Sequence, residues 1–238
     1  MTTPSTYRTY SCGDYAITIE LGDTIDYTVN QKVIALFHYL KEQQLIGVKD
    51  IIPAYNTVTV IYDMPLLKKK NPQASVYEKM QQLLQTAVEQ LTTETGVQPR
   101  QITIPVCYDL SLAPDLASLA KKNQLNIDEV IQLHTAKIYR VYMIGFQPGF
   151  AYMGSVDEKI RAPRKDKPRT AVPAGSVGIA GEQTGIYPFN SPGGWQLIGQ
   201  TPLQMFDVTK EMPCYLQPGD EVQFHAINLA EFTKLKTA

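Results

Sequence analysis

Three arginines, Arg161, Arg164 and Arg169, fall in one short stretch, and the last two each follow a proline directly. A guanidinium is a planar fork of donors that pairs with a carboxylate or a phosphate, often through two bonds at once. Around these arginines stand Tyr152, Gln183, Tyr187, the single Trp195 and Gln196. Aromatic rings supply pocket walls, amides fix orientation, and the glycines between them let backbone approach a ligand closely. The expected site is a cleft lined by the loops that carry Tyr152, Arg164, Gln183, Tyr187 and Gln196 as substrate contacts. Arg169 is expected to be a catalytic residue and to matter most, because Pro168 restrains the backbone beside it and Thr170 to Val172 feeds straight into a glycine-rich loop. His134 is expected at the margin of the cleft. Its position near a helix end leaves proton transfer and a structural role both open, and Trp195 alone reads as a core residue.

Several chemistries are excluded. Gly175, Gly178 and Gly181 are spaced by threes with no Gly-Lys-Ser/Thr after them, so there is no phosphate-binding P-loop. No Gly-x-Ser-x-Gly turn provides a hydrolase serine. His38, His134 and His225 form no His-Glu-x-x-His pair, and Cys12, Cys107 and Cys214 are far apart and odd in number. Neither a metal site nor a disulfide framework is expected; Cys107 and Cys214 read as small buried hydrophobes. Lys plus Arg number 22 against 23 Asp plus Glu, a net charge of −1 that gives no reason to expect nucleic acid or an anionic membrane as partner. The first ten residues are polar and no stretch approaches a membrane span, so the protein is expected in the cytoplasm.

The elements that must position these residues fall into two kinds. Up to about residue 100, apolar residues alternate or recur at helical spacing. A strand is expected over Asp14 to Leu21 and a helix from an Asn30 cap to about Gln44, ended by Gly47. Strands Val48 to Ala54 and Thr57 to Tyr62 follow, joined at Tyr55-Asn56. Lys68 to Lys70 read as a solvated loop. Ser75 and Glu78 form a capping-box pattern for a helix that Gly96 stops, and Gln101 to Val106 gives a last strand. The order β-α-β-β-α-β is ferredoxin-like. Two short helices come next, Asp115 to Asn123 and one capped by Asn126 with Glu129. Between Gly145 and Gly199 there are then ten glycines and six prolines. Such punctuation favours short strands and shaped loops, with Arg140–Ile144, Val177–Ala180, Trp195–Ile198 and Glu221–Ala226 as strands and Thr184 to Gly194 as loop. The fold class is α+β, with a first domain over 1–105 and an all-β barrel over 106–238.

A longer signature runs through the second half. It comprises Gly145-Phe-Gln-Pro-Gly-Phe-Ala-Tyr-Met-Gly154, Pro163-Arg164, Pro168-Arg169 and Val172-Pro-Ala-Gly-Ser-Val-Gly-Ile-Ala-Gly181. Gln183-Thr-Gly-Ile-Tyr-Pro188 and Ser191-Pro-Gly-Gly-Trp-Gln-Leu-Ile-Gly199 complete it, with Pro114-Asp115-Leu116 and Leu133-His134 upstream. This resembles the KipI family, also called allophanate hydrolase subunit 1. Ala113, Gln147 and Met153 depart from its usual residues. The resemblance implies a ferredoxin-like domain followed by a cyclophilin-like barrel. It implies a role as the B subunit of an ATP-dependent 5-oxoprolinase, which opens a lactam to glutamate with a KipA-like C subunit and a LamB/YcsF-like A subunit. It also admits an allophanate hydrolase or urea carboxylase type of subunit, or an inhibitor that binds a sensor histidine kinase. With no nucleotide motif of its own, such a chain is expected to be inactive alone, the ATP being used by the assembled complex.

Overall fold

The computed structural model describes residues 7–24, 26–70, 72–91 and 98–237, and divides the chain into two compact units between Gln98 and Pro99. The first unit is an antiparallel sheet of four strands, β1 (Arg8–Ser11), β2 (Ala16–Glu20), β3 (Val48–Pro53) and β4 (Thr57–Tyr62), in the order β1-β2-β4-β3. Helices α1 (Tyr27–Glu42), α2 (Met64–Lys70) and α3 (Val76–Gln90) accompany it. Ile17, Ile19, Val58 and Val60 pack against Val33, Leu36, Leu40, Met80 and Leu84 in its core. The alternation of β4, with Val58, Val60 and Tyr62 buried, is what a strand with one covered face requires.

Three local expectations for this unit are corrected. Asp26, not Asn30, caps α1, accepting from the N–H groups of Thr28 and Val29. Asn30 lies one turn inside, fully buried, and donates to the carbonyls of Ala54 and Tyr55, holding the β3–β4 hairpin. That helix ends at Glu42, with Gln44 left-handed before Gly47. Lys68 to Lys70 are the last turn of α2, where cations face the negative end of the helix dipole. Ser75 caps α3 through the Glu78 N–H; Gly96 lies outside the described residues.

The expected strand at 101–106 forms as β5 (Gln101–Cys107), but it does not join the first sheet. It pairs in parallel with β13 (Glu221–Ile227) from the far end of the chain, so residues 101–105 belong to the barrel unit. The sheet edge beside β2 is occupied by β1, antiparallel to it. The second unit is a closed seven-stranded barrel. Its other strands are β6 (Ile138–Ile144), β7 (Ala151–Gly154), β9 (Ser176–Ala180), β10 (Gln183–Ile186) and β12 (Gln196–Gln200), closing in the order β10-β7-β6-β13-β5-β12-β9. A two-stranded ribbon, β8 (Arg169–Val172) with β11 (Ser191–Gly193), lies outside that ring. The stretch 184–194, expected as loop, thus contains the last three residues of β10 and ribbon strand β11. Helices α4 (Leu116–Lys122) and α5 (Ile127–Thr135) precede β6, and α6 (Leu229–Lys236) follows β13. Asn126 and Glu129 form the expected capping box at α5.

His134, in the last turn of α5, enters the barrel core and is completely buried. Its ring stacks on Phe224 at 4.6 Å and contacts Tyr108 and Tyr139. Thr184 Oγ1 gives its one proton to the Gly178 carbonyl, so His134 Nε2, 3.0 Å away, must donate to it. Nδ1 then accepts from the Tyr108 hydroxyl at 2.7 Å. Burial alone pushes the ring's pKa from 6.5 down to about 3.

This burial gives a stability signature. The unfolded chain protonates the ring near pH 6.5 while the folded chain keeps it neutral down to about 3. The unfolded state therefore binds the extra proton in that window, and stability falls as pH drops through it but is full above it. Denaturant unfolding between pH 7 and 5 should cost the wild type about 2 kcal/mol more than it costs His134→Gln. Parallel pH profiles for the two proteins would contradict a neutral buried ring.

Candidate active site

A cleft of about 240 Å³ opens at one side of the barrel, lined by Phe146, Phe150, Tyr152, Arg164, Lys165, Pro168, Tyr187, Pro192, Gly193, Gly194 and Trp195. Its floor is aromatic: Phe150, Tyr187 and Trp195 form a buried cluster with Val172, Ala180 and Leu197, and Tyr152 packs on it. Phe150 stands edge-on to both Tyr187 and Trp195, at 5.3 and 5.4 Å, the arrangement favoured by aromatic quadrupoles. Two glycines allow these approaches. A Cβ on Gly193 would fall into the Tyr187 ring, and one on Gly185 would press on Phe150 and Trp195. Trp195, only 5 % exposed, is thus both core and cleft floor.

One buried carboxylate holds the cleft's rim. Asp115, 3 % exposed, precedes α4 without capping it, because its oxygens are used elsewhere. Oδ1 accepts from Arg169 Nη2 at 2.6 Å and from Lys165 Nζ at 3.0 Å, and Oδ2 accepts from the Leu197 N–H at 2.7 Å. The Asp115 N–H in turn donates to the Leu197 carbonyl. Burial pushes this carboxyl up, but the bonds from Arg169, Leu197 and Lys165 outweigh it and hold the acid below the usual carboxylate range. Lys165 is also pinned by its own N–H, which donates to the Gly194 carbonyl at 2.7 Å.

The predicted site residues separate into three groups. Tyr152, Arg164 and Tyr187 line the cleft together. Arg164 lies over the Trp195 ring at 6.0 Å, and its charge eases the tyrosine hydroxyls, which burial pushes up. Arg169 and Gln196 stand behind the wall: Arg169 on Asp115, and Gln196 donating to the Pro163 carbonyl at 2.9 Å, where it fixes the segment that presents Arg164. Gln183, half-buried in β10 opposite Gly154, and His134, enclosed in the core, are not among the residues lining the cleft. Sequence reading missed Asp115 and Lys165 as site residues. The only trace of Asp115 was its place in the Pro114-Asp115-Leu116 element. Among the described residues no cluster of His, Cys, Asp and Glu is arranged to hold a metal ion, and no helix is long and apolar enough to cross a membrane.

Comparison with known proteins agrees with this architecture. Residues 7–216 match the family described as carboxyltransferase domain, subdomain C and D. The chain is 43% identical over 232 residues to the 5-oxoprolinase B subunit of Bacillus subtilis, covering 97% of each. It is 39% identical over 217 residues to the 5-oxoprolinase B subunit of Escherichia coli O157:H7, covering 91% of this chain and 94% of that one. Among solved structures, TTHA0988 superposes with a TM-score of 0.77 at 34% identity over 93% of this chain, which spans only 41% of that longer chain. The chain therefore belongs to the carboxyltransferase subdomain C and D family, the group that contains the 5-oxoprolinase B subunits.

Proposed function

We propose that this chain is the B subunit of an ATP-dependent 5-oxoprolinase, acting with a KipA-like C subunit and a LamB/YcsF-like A subunit in the cytoplasm. The observation that carries this reading is the end-to-end match to B subunits, 97% of both chains at 43% identity. The cleft supports it chemically. 5-Oxoproline is a small ring bearing a carboxylate, and the cleft pairs an aromatic floor with a guanidinium poised above Trp195. In this reading Arg164 takes the carboxylate, Phe150 and Trp195 receive the ring, and Tyr152 and Tyr187 present neutral hydroxyls. Burial holds both hydroxyls above their usual pKa, so they donate hydrogen bonds to a carbonyl oxygen without supplying negative charge. Arg169 and Gln196 act as positioning residues in place of the direct roles first expected for them, and His134 takes the structural one of the two roles left open for it. The chain carries no nucleotide motif, so ATP is bound and used by the assembled complex.

The test is 5-oxoproline-dependent ATP hydrolysis by the reconstituted three-subunit complex. The lone chain should show none, and the complex should turn over. Arg164→Ala should lower kcat/KM about 10- to 100-fold, the worth of a charge-assisted bond. Arg169→Lys keeps the charge but loses the planar fork that reaches both Asp115 and the Trp195 carbonyl, and should lower both activity and melting temperature. Wild-type turnover with Arg164→Ala would move the substrate carboxylate out of this cleft. Robust hydrolysis by the lone chain would overturn the subunit reading.

A further inference from the structure

Arg164 and Lys165 are consecutive, and both line the cleft. Their situations differ. Among the described residues no acidic side chain and no hydrogen-bond acceptor pairs with the Arg164 guanidinium; its partner is the face of Trp195. Lys165 is the second cation on a carboxylate that Arg169 already neutralises at shorter range. With Asp115 matched by Arg169 behind the wall, Arg164 and Lys165 are the two cations among the residues that line the cleft, and no acidic residue among those described lines it. The Lys165 ammonium has three protons, of which one goes to Asp115 at 3.0 Å, and its side chain stays 34% exposed. With its backbone tied to Gly194 and its amine tied to Asp115, Lys165 is fixed before any ligand arrives. Little ordering entropy then opposes binding.

From this geometry we infer that Arg164 and Lys165 form a two-cation seat for one oxyanion, a carboxylate or a phosphate, on a small ligand whose body rests on Trp195. The seat is complete within this chain, so anion recognition precedes assembly with other subunits even though turnover requires them. For 5-oxoproline as the ligand the inference rests on the proposed function, and Lys165 becomes the second carboxylate contact beside Arg164. Asp115 is the positioning residue that holds Lys165 in place.

Trp195 is the only tryptophan, so its fluorescence reports the cleft alone. The experiment titrates the isolated full-length chain with 5-oxoproline, with 2-pyrrolidone (the same ring without the carboxylate) and with inorganic phosphate. A saturable response to 5-oxoproline, none to 2-pyrrolidone, and about tenfold weaker binding for both Lys165→Gln and Arg164→Gln support the seat. Lys165→Arg, which keeps the charge, should bind more tightly than Lys165→Gln. Response to phosphate but not to 5-oxoproline keeps the seat and assigns it to a phosphate-bearing ligand. No saturable response to either anion, or unchanged affinity in both Gln variants, overturns it. Arg164 is exposed and has no acidic partner among the described residues, so its variant keeps the test decisive if Lys165→Gln fails to fold. Anion binding by this chain with no turnover in the complex would leave the seat standing and remove the 5-oxoprolinase reading. Normal kcat/KM for 5-oxoproline in a complex carrying Lys165→Gln would remove Lys165 as its carboxylate contact and leave the 5-oxoprolinase reading standing.

Discussion

Asp115 is buried at the start of a short helix, where most aspartates would cap the helix and face water. Here its two oxygens are divided among a guanidinium, an ammonium and a backbone N–H drawn from two other segments of the chain. A carboxylate out of water is costly unless it is fully paired, and this one is. The pairing ties the 163–169 loop, strand β12 and the beginning of α4 to a single point. The cleft exists because those three segments meet there.

The aromatic floor depends on that point as well. Leu197, whose N–H and carbonyl both engage Asp115, lies two residues beyond Trp195, so fixing β12 fixes the indole. Arg169 adds a contact to the Trp195 carbonyl at 3.5 Å. The rim's cations and the floor's rings are therefore set by the same carboxylate. A ligand that is partly apolar and partly anionic meets both in one register. Within the barrel, Thr184 of strand β10 fastens His134 to Gly178, so the wall is held from inside by a neutral network and at the cleft by a charged one.

Much of the fold was legible because it rests on local signals. Apolar periodicity placed α1 and α3 of the first unit but not the short α2, the Asn126–Glu129 box opened α5, and the run of glycine and proline marked the barrel. What the sequence could not show was pairing across distance. The strand at 101–107 has the composition of any strand, and only its parallel partner at 221–227 decides which unit it joins. Cleft membership for Tyr152, Arg164 and Tyr187 followed from their neighbours in sequence, since short strands keep nearby residues close. Asp115 was illegible as a site residue because its partners lie 50, 54 and 82 positions away. His134 was misplaced for a related reason: a histidine in the last turn of a helix faces either solvent or core, and the choice is made by Phe224, Tyr108 and Thr184, which lie in other elements.

If one buried carboxylate organises the cleft, its removal by Asp115→Asn must cost stability. The amide keeps the shape but leaves Arg169 and Lys165, which are partly enclosed, without a counter-charge. Breaking a fully buried pair costs about 3–5 kcal/mol, and partial exposure of the two cations lowers this to roughly 2–3 kcal/mol. Equilibrium unfolding in denaturant at neutral pH should show a loss of that size. A variant within about 0.5 kcal/mol of the wild type, the range of ordinary surface substitutions, would contradict the claim.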